Sequence, residues 1–296
     1  MRRLLLLLLL GGALPAGPAP ILSTAELAEY LRAGDHRLVR PSPSGLTAAR
    51  QREPAVLGLL GAVMQELIDQ NVTAVCDCDD AAEQSSHARA ASVLHLLTTD
   101  NPANRALVGS TPDALAGLVS LVAESVGCNN SAASPSWQAA EEAAEAIWIL
   151  SFNHRGNHDT LLQLGAAEAL AAPVLTPQAP SRAKMWAAAA LQNLAASYCA
   201  TSDGRCSWRW SDDHTVLAAQ EQLVIDSEPA RLRIGAVPGL LRGLVDLTTV
   251  TSAGTERVLP SKATTSERRA VGIAAWAAAG ALKNLALSPL LAQVEL

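Results

Sequence analysis

A short pattern of leucine and asparagine recurs along this chain of 296 residues at distances typical of helical repeats. Asn104 and Asn157 each follow a leucine by seven positions, and the pentapeptide Leu-x-Asn-Leu-Ala occurs at 191–195 and again at 282–286. Self-similarity of this kind is typical of repeat proteins, in which each helical unit buries its apolar face against the next unit. We therefore expect an array of short helical units.

The composition favours helices throughout the chain. Hydrophobic residues make up 49% of the sequence but aromatic residues only 3%, so alanine and leucine supply most of the core. Both are strong helix formers, whereas the β-branched and aromatic residues that favour strands are sparse. The composition predicts an all-α fold.

The repeated segments resemble armadillo repeats. The pentapeptide Leu-x-Asn-Leu-Ala is similar to the close of the third armadillo helix, and Gly235–Leu247 resembles the opening of the second helix. The stretch from Leu150 through Asn157 to Gly165 is similar to the corner between two such repeats. The resemblance implies a right-handed α-solenoid of about three to four armadillo-like repeats over residues 54–296, with insertions at about 198–231 and 248–267.

The N-terminus is a separate element. Arg2 and Arg3 precede an unbroken leucine run, which is followed by small residues and prolines. The run is too short to cross about 30 Å of hydrocarbon, so residues 1–19 are predicted to be a secretory signal peptide, with an uncleaved anchor as the alternative. Residues 20–53 are predicted to form a short helix and a Pro/Ser/Arg-rich loop. No later stretch is long and apolar enough to span a membrane. The predicted location is the extracellular space or the lumen of the endoplasmic reticulum.

Two sequons fit an exported protein. Asn71 and Asn129 each begin an Asn-x-Ser/Thr triplet in a polar stretch and are predicted glycosylation sites, although chance occurrence has an equal claim. The chain has five cysteines, an odd number, which leaves one free or paired with another chain in an oxidising compartment.

The first insertion carries the most individual sequence. Cys199 and Cys206 flank a short polar loop with Asp-Gly at its tip, and we expect a disulfide with Cα atoms within about 7 Å. Trp208, Arg209 and Trp210 follow, and alternation in an extended segment places both indole rings on one side. They are predicted to be exposed partner-binding anchors. Packing of both rings onto adjacent helices is an equal alternative.

In the nuclear-import branch of the armadillo family, an asparagine before the closing leucine holds an extended peptide by its backbone. The positions in this chain that match it are Leu96, Ile149, Asn193 and Asn284. Because two of the four differ and a signal peptide is predicted, import-receptor function is not expected. The resemblance still implies partner contact by Asn193 and Asn284, and local hydrogen bonds that close each helix are the stronger alternative.

Several classes of chemistry are disfavoured. A net charge of −6 offers no basic surface for nucleic acid. His154 and His158 are separated by Gly156 and a repeat corner, so neither a metal site nor a cofactor is predicted. The chain has no nucleophile elbow and no phosphate-binding glycine loop, and the carboxylates of Glu141, Glu142 and Glu145 read as a solvated helix face. We therefore expect no enzymatic activity.

These observations predict a non-catalytic scaffold of the secretory pathway that binds a protein or an extended peptide on its concave face. The resemblance also implies an alternative, a lumenal Hsp70 nucleotide-exchange co-chaperone, because such armadillo proteins also follow signal peptides. The residues after the last Leu-x-Asn-Leu-Ala include Leu290, Leu291 and Val294, which do not form a polar cap. Self-association through this end, or further sequence beyond it, is therefore expected.

Overall fold

The computed structural model describes residues 61–65, 68, 81–99, 101–127, 135–152, 154–196, 198–199, 208–210, 216–218, 224–225, 227–252 and 264–291. Residues 61–65 are helical. The described helices are then α1 (Ala81–Thr98), α2 (Pro102–Gly109), α3 (Pro112–Gly127), α4 (Pro135–Ser151), α5 (Arg155–Gln163), α6 (Ala166–Leu175), α7 (Ser181–Leu194), α8 (Glu228–Gly235), α9 (Leu240–Ser252) and α10 (Thr265–Leu285). The prediction of an all-α fold is confirmed.

The helices form two rows. The four helices α1, α4, α7 and α10, which we call the closing helices, pack side by side in chain order. The helices α3, α6 and α9 form the second row, in which α3 contacts α4 and α6, and α6 contacts α7 and α9. The short helices α2 and α5 pack against each other. A helix-on-helix core results, in which alanine and leucine side chains fill the space between the rows.

The interval between leucine and asparagine has a direct structural cause. Asn104 Nδ2 donates to the Leu97 carbonyl at 2.7 Å, and Asn157 Nδ2 donates to the Leu150 carbonyl at 2.9 Å. Leu97 and Leu150 lie in the last turns of α1 and α4, where carbonyl groups have no partner within their own helix. Each asparagine therefore caps the preceding closing helix from the start of the next unit.

The Leu-x-Asn-Leu-Ala segments perform a second capping role. Asn193 Nδ2 donates to the Trp148 carbonyl at 2.9 Å, and Asn284 Nδ2 donates to the Gln192 carbonyl at 2.9 Å. Both acceptors again lie in the last turn of a closing helix. These bonds join α7 to α4 and α10 to α7 at their C-terminal ends, so the three helices run in the same direction.

Two glycines occupy positions that other residues cannot adopt easily. Gly165, at the corner between α5 and α6, has φ of 85°, a left-handed conformation that glycine adopts without steric cost. Gly109 lies so close to Asn157 that a Cβ atom there would stand 1.6 Å from Asn157 Oδ1. The close approach of α2 to α5 thus requires a residue without a Cβ atom at position 109.

The first predicted insertion contains short antiparallel strands. β1 (Tyr198–Cys199) pairs with β4 (Val224–Ile225), and β2 (Trp208–Trp210) pairs with β3 (Val216–Ala218), with Trp208 opposite Ala218. The prediction of an extended backbone at 208–210 is confirmed, while the pairing with a second strand was not predicted.

Helices extend into both predicted insertions. α8 begins at Glu228, inside the segment 198–231, while α9 continues to Ser252 and α10 begins at Thr265, both within 248–267. The second segment, which is predicted as an insertion, contains the N-terminal cap of α10. The Thr264 backbone N–H donates to Glu267 Oε2 at 2.6 Å, and the Glu267 N–H donates to Thr264 Oγ1 at 3.2 Å, which forms a capping box.

Several predictions concern residues outside the described part of the chain. They are the signal peptide at 1–19, the segment 20–53, the sequons at Asn71 and Asn129, the disulfide partner Cys206, and Val294. For Cys199, Trp208, Arg209 and Trp210 the structure describes the backbone but not the side chains. No single described helix is long and apolar enough to cross a membrane, although α2 and residues 112–124 of α3, bent by 89°, match that length and composition together.

Candidate functional site

A cavity of about 320 Å³ lies between the closing helices α4, α7 and α10. Its walls combine four large aromatic side chains with two arginines and several uncharged polar groups. The lining side chains used below are Trp148, Phe152, Arg182, Trp186, Gln192, Asn193, Ser266, Arg269 and Trp276. A volume of this size matches that of a ligand pocket or a groove for a few peptide side chains.

One wall of the cavity is an aromatic row that crosses three helices. The rings of His95 on α1 and Trp148 on α4 are stacked, with centroids 6.5 Å apart, and Trp148 contacts Trp186 on α7 at 5.2 Å. The Trp186 Nε1 donor is buried and has no hydrogen-bond partner in the described structure. The aromatic row therefore begins at a buried ring, His95, and has one unsatisfied donor beside the cavity.

Two further aromatic residues are exposed at the cavity. Phe152 at the end of α4 is 50% exposed, and Trp276 on α10 is 40% exposed. Large apolar side chains that remain open to water beside a cavity are typical of binding surfaces. These two rings are the most accessible apolar groups of the site.

The lining of the cavity also carries positive charge. Arg182 in the first turn of α7 pairs with Glu141 of α4 through its Nε atom. Arg269, near the start of α10, is exposed and forms no ion pair with any described residue. The described residues that line the cavity include these two arginines and no aspartate or glutamate. The charge of the lining thus has the opposite sign to the net charge of the chain.

Only one of the predicted partner-binding asparagines lines the cavity. Asn193 is half-buried in its wall, whereas Asn284 is not among its lining residues. The side-chain N–H groups of both donate to the neighbouring closing helix, as described above. The expected alternative to peptide contact is a hydrogen bond within the same helix, whereas the bonds observed join two helices.

Sequence reasoning missed the aromatic and arginine residues of this site. A signal for part of it was present, because Trp186 and Asn193 are seven positions apart and therefore share one face of α7. A tryptophan on the same face as a groove-lining asparagine is a candidate for the same groove. The arginines gave no such signal, since they lie at helix starts where solvated charges are common.

The carboxylates of α4 are not a solvated face, and that interpretation is wrong. Glu142 is 7% exposed and Glu145 is 4% exposed, because α1 and α7 flank α4 on both sides. Glu145 Oε1 lies 3.6 Å from Nε2 of the buried His95. His95 is thus a buried histidine of α1 whose Nε2 atom faces a buried carboxylate of α4.

His154 and His158 have structural positions at the start of α5. His154 Nδ1 accepts the N–H of Asn157 at 3.2 Å and caps the helix, while His158 is buried. The pKa of His158 is lowered to about 3, mainly by burial and to a lesser extent by the nearby positive charges of His154 and Arg155. The described residues contain no group of three or more potential metal ligands.

The lowered pKa of His158 predicts an effect of pH on stability. A histidine that titrates near 6.5 when unfolded and near 3 when folded binds its proton preferentially in the unfolded chain. The free energy of unfolding should therefore fall as pH drops below about 6.5, by about 2 kcal/mol between pH 7 and pH 5 from this residue alone. Urea unfolding at the two pH values should show this decrease, and the His158→Gln variant should lack that part of it. Equal decreases in the two proteins would contradict the prediction.

The chain matches no protein-family model and no curated protein sequence. The protein is helical, and its candidate site is the cavity between α4, α7 and α10, which we call the groove from here on. The groove is lined by aromatic side chains and two arginines.

Proposed function

We propose that this chain is a non-catalytic scaffold that binds an extended segment of another protein in the groove between α4, α7 and α10. The observation that carries the proposal is the cavity itself, which exposes Phe152 and Trp276 along a row of parallel helices. We further propose that this groove is the concave face of a right-handed α-solenoid of armadillo-like repeats. The predicted signal peptide supports a location in the secretory route.

The helix packing supports the solenoid. Successive closing helices contact each other in chain order, and the second row follows the same order. The capping bonds of Asn104 and Asn157 are equivalent, as are those of Asn193 and Asn284. Units that share their internal bonds and stack on their neighbours are what a solenoid requires.

The groove lining supports an extended segment as the ligand. Gln192, Asn193 and Ser266 offer uncharged polar atoms along the cavity, and the aromatic side chains offer apolar surface beside them. An extended chain has free backbone N–H and C=O groups and places alternate side chains on opposite sides. Polar atoms and apolar surface in one groove suit both of these needs.

Unbiased peptide selection tests this function. Linear peptides displayed on phage and selected on the full chain should bind the Trp276→Ala variant at least about 30-fold more weakly, because exposed tryptophans dominate binding energy at such sites. The control is Leu287→Ala, since Leu287 is 58% exposed and does not line the cavity. Selected peptides that bind both variants as tightly as the parent chain would contradict the proposal, as would a failure to select any peptide.

A further inference from the structure

We infer that the groove selects a peptide in which an acidic and an aromatic side chain stand two positions apart, an inference that rests on the proposed function. Two features of the lining support it, the sign of its charge and the nature of its exposed apolar surface. The proposed function requires only an extended segment, whereas this inference specifies the chemical class of the peptide.

The charge of the lining favours a carboxylate. The chain carries a net charge of −6, yet its described cavity residues include Arg182 and Arg269 and no acid. The charge of Arg182 is largely balanced by Glu141, whereas Arg269 has no ion-pair partner among the described residues. A carboxylate can therefore bond to Arg269 without breaking an existing pair. Arginine suits this role because its planar guanidinium group binds carboxylates through two parallel hydrogen bonds.

The apolar surface of the lining favours an aromatic side chain near the carboxylate of the peptide. Trp276 is exposed and lies two helical turns from Arg269 on α10, on the same face of that helix. Phe152 and the pair Trp148–Trp186 complete the apolar wall. Aromatic rings pack well against such surfaces in offset or edge-to-face geometries. In an extended peptide, residues two positions apart point to the same side at a separation of about 7 Å. A side-chain carboxylate at Arg269 thus places the side chain two positions along the peptide within reach of these rings.

A basic peptide is the main competing ligand. Tryptophan faces attract cations, so a lysine or arginine side chain would gain from Trp276. The guanidinium group of Arg269, which has no ion-pair partner among the described residues, opposes this, because like charges in the same cavity repel each other. The balance of the two effects favours the acidic peptide and makes the sign of the ligand charge the decisive measurement.

Four matched peptides test the inference on the full chain. They are fluorescein-labelled glycine–serine peptides that differ only at two positions with one serine between them. We name each peptide by these two residues, as Asp-Trp, Lys-Trp, Asp-Ala and Lys-Ala. Fluorescence anisotropy should show the tightest binding for Asp-Trp, with a loss of about tenfold when either residue is replaced, since one charge-assisted bond contributes about that factor. Raising the salt concentration from 50 mM to 500 mM should weaken the Asp-Trp peptide most.

Variants at one position then identify the recognising group. Arg269→Gln should bind the Asp-Trp peptide about tenfold more weakly, Arg269→Lys should retain part of the affinity, and Arg269→Glu should prefer Lys-Trp. The matched control is Arg242→Gln, because Arg242 is an exposed arginine on α9 outside the cavity lining. Circular dichroism of each variant confirms that the fold is retained.

The outcomes separate this inference from the proposed function. Binding that is lost in Trp276→Ala but is equal for Asp-Trp and Lys-Trp overturns the charge preference and leaves the scaffold function in place. Tighter binding of Lys-Trp by the parent chain overturns it as well, and so does the absence of binding to all four peptides. The scaffold function itself is decided by the peptide selection described above.

Discussion

The Asn157→Ala variant is expected to unfold with a free energy about 3 kcal/mol lower than that of the parent chain. Asn157 is fully buried, and its Nδ2 atom donates to the carbonyls of Leu150 at 2.9 Å and Arg105 at 3.0 Å. The Leu150 carbonyl lies at the end of α4 and would be left buried without that donor, which costs about 1–3 kcal/mol for each unsatisfied group. Urea unfolding followed by circular dichroism measures the difference.

Two further variants control this result. Asn157→Asp keeps the size of the side chain but removes both donated hydrogen bonds, so it should destabilise the protein at least as strongly. Gln163→Ala, at an exposed position of the same helix, should change the free energy of unfolding by less than about 0.5 kcal/mol. A loss below about 0.5 kcal/mol for Asn157→Ala would show that the cap is not important for stability.

Gly109 provides a coupled measurement of the same contact. A Cβ atom at this position would stand 1.6 Å from Asn157 Oδ1, so Gly109→Ala must displace the Asn157 side chain and lose its bonds. The double variant Gly109→Ala/Asn157→Ala removes the clash together with the amide. Its loss should therefore be smaller than the sum of the two single losses, by at least about 1 kcal/mol. If the loss in the double variant equalled the sum of the two single losses, the two residues would act independently, and the prediction would be wrong.

The parts of the fold that followed from the sequence depend on local chemistry. Asn104 and Asn157 were recognisable because the end of a helix needs donors for its last carbonyls, and a corner of fixed length places one asparagine there. The alanine-rich closing helices were recognisable because their propensity and apolar pattern agree. Such features depend on neighbours within about ten residues, so a single sequence contains them.

The capping box at Thr264 is also a local feature, but it was not predicted from the sequence. Thr264-x-x-Glu267 was visible in the sequence, but the polar composition around it suggested a loop that continued to Glu267. The hydrogen bonds of the box show that the polar residues there begin a helix. Composition averaged over a segment concealed a signal that depends on two residues at a fixed spacing.

The candidate site could not be assembled from the sequence because its residues come from three separate helices. Trp148, Trp186 and Trp276 are far apart along the chain, and segments of unequal length separate the helices that carry them. Periodicity shows which residues share one face of a helix but not which other helix covers that face. The burial of Glu142 and Glu145 has the same origin, since α1 and α7 both pack against α4.

Tryptophans with different environments should respond differently to substitution, and Trp137 is expected to show the largest loss of stability. Its side chain is 1% exposed and packs in a cluster with Ala140, Ala179 and Ala183. The three small partners cannot expand to fill the space of an indole ring, so Trp137→Ala should lower the free energy of unfolding by about 4 kcal/mol. Thermal and urea unfolding of the full chain measure this loss.

The size of the ring, rather than its N–H group, should account for that loss. Trp137 Nε1 is buried and has no hydrogen-bond partner in the described structure, so Trp137→Phe removes no bond and keeps most of the apolar volume. We expect it to cost less than half as much as Trp137→Ala. Trp276→Ala, at a 40% exposed position, should also cost clearly less than Trp137→Ala, although it should abolish peptide binding. If Trp137→Ala and Trp276→Ala lost equal stability, Trp276 would be a core residue, and the groove would lose its main binding group.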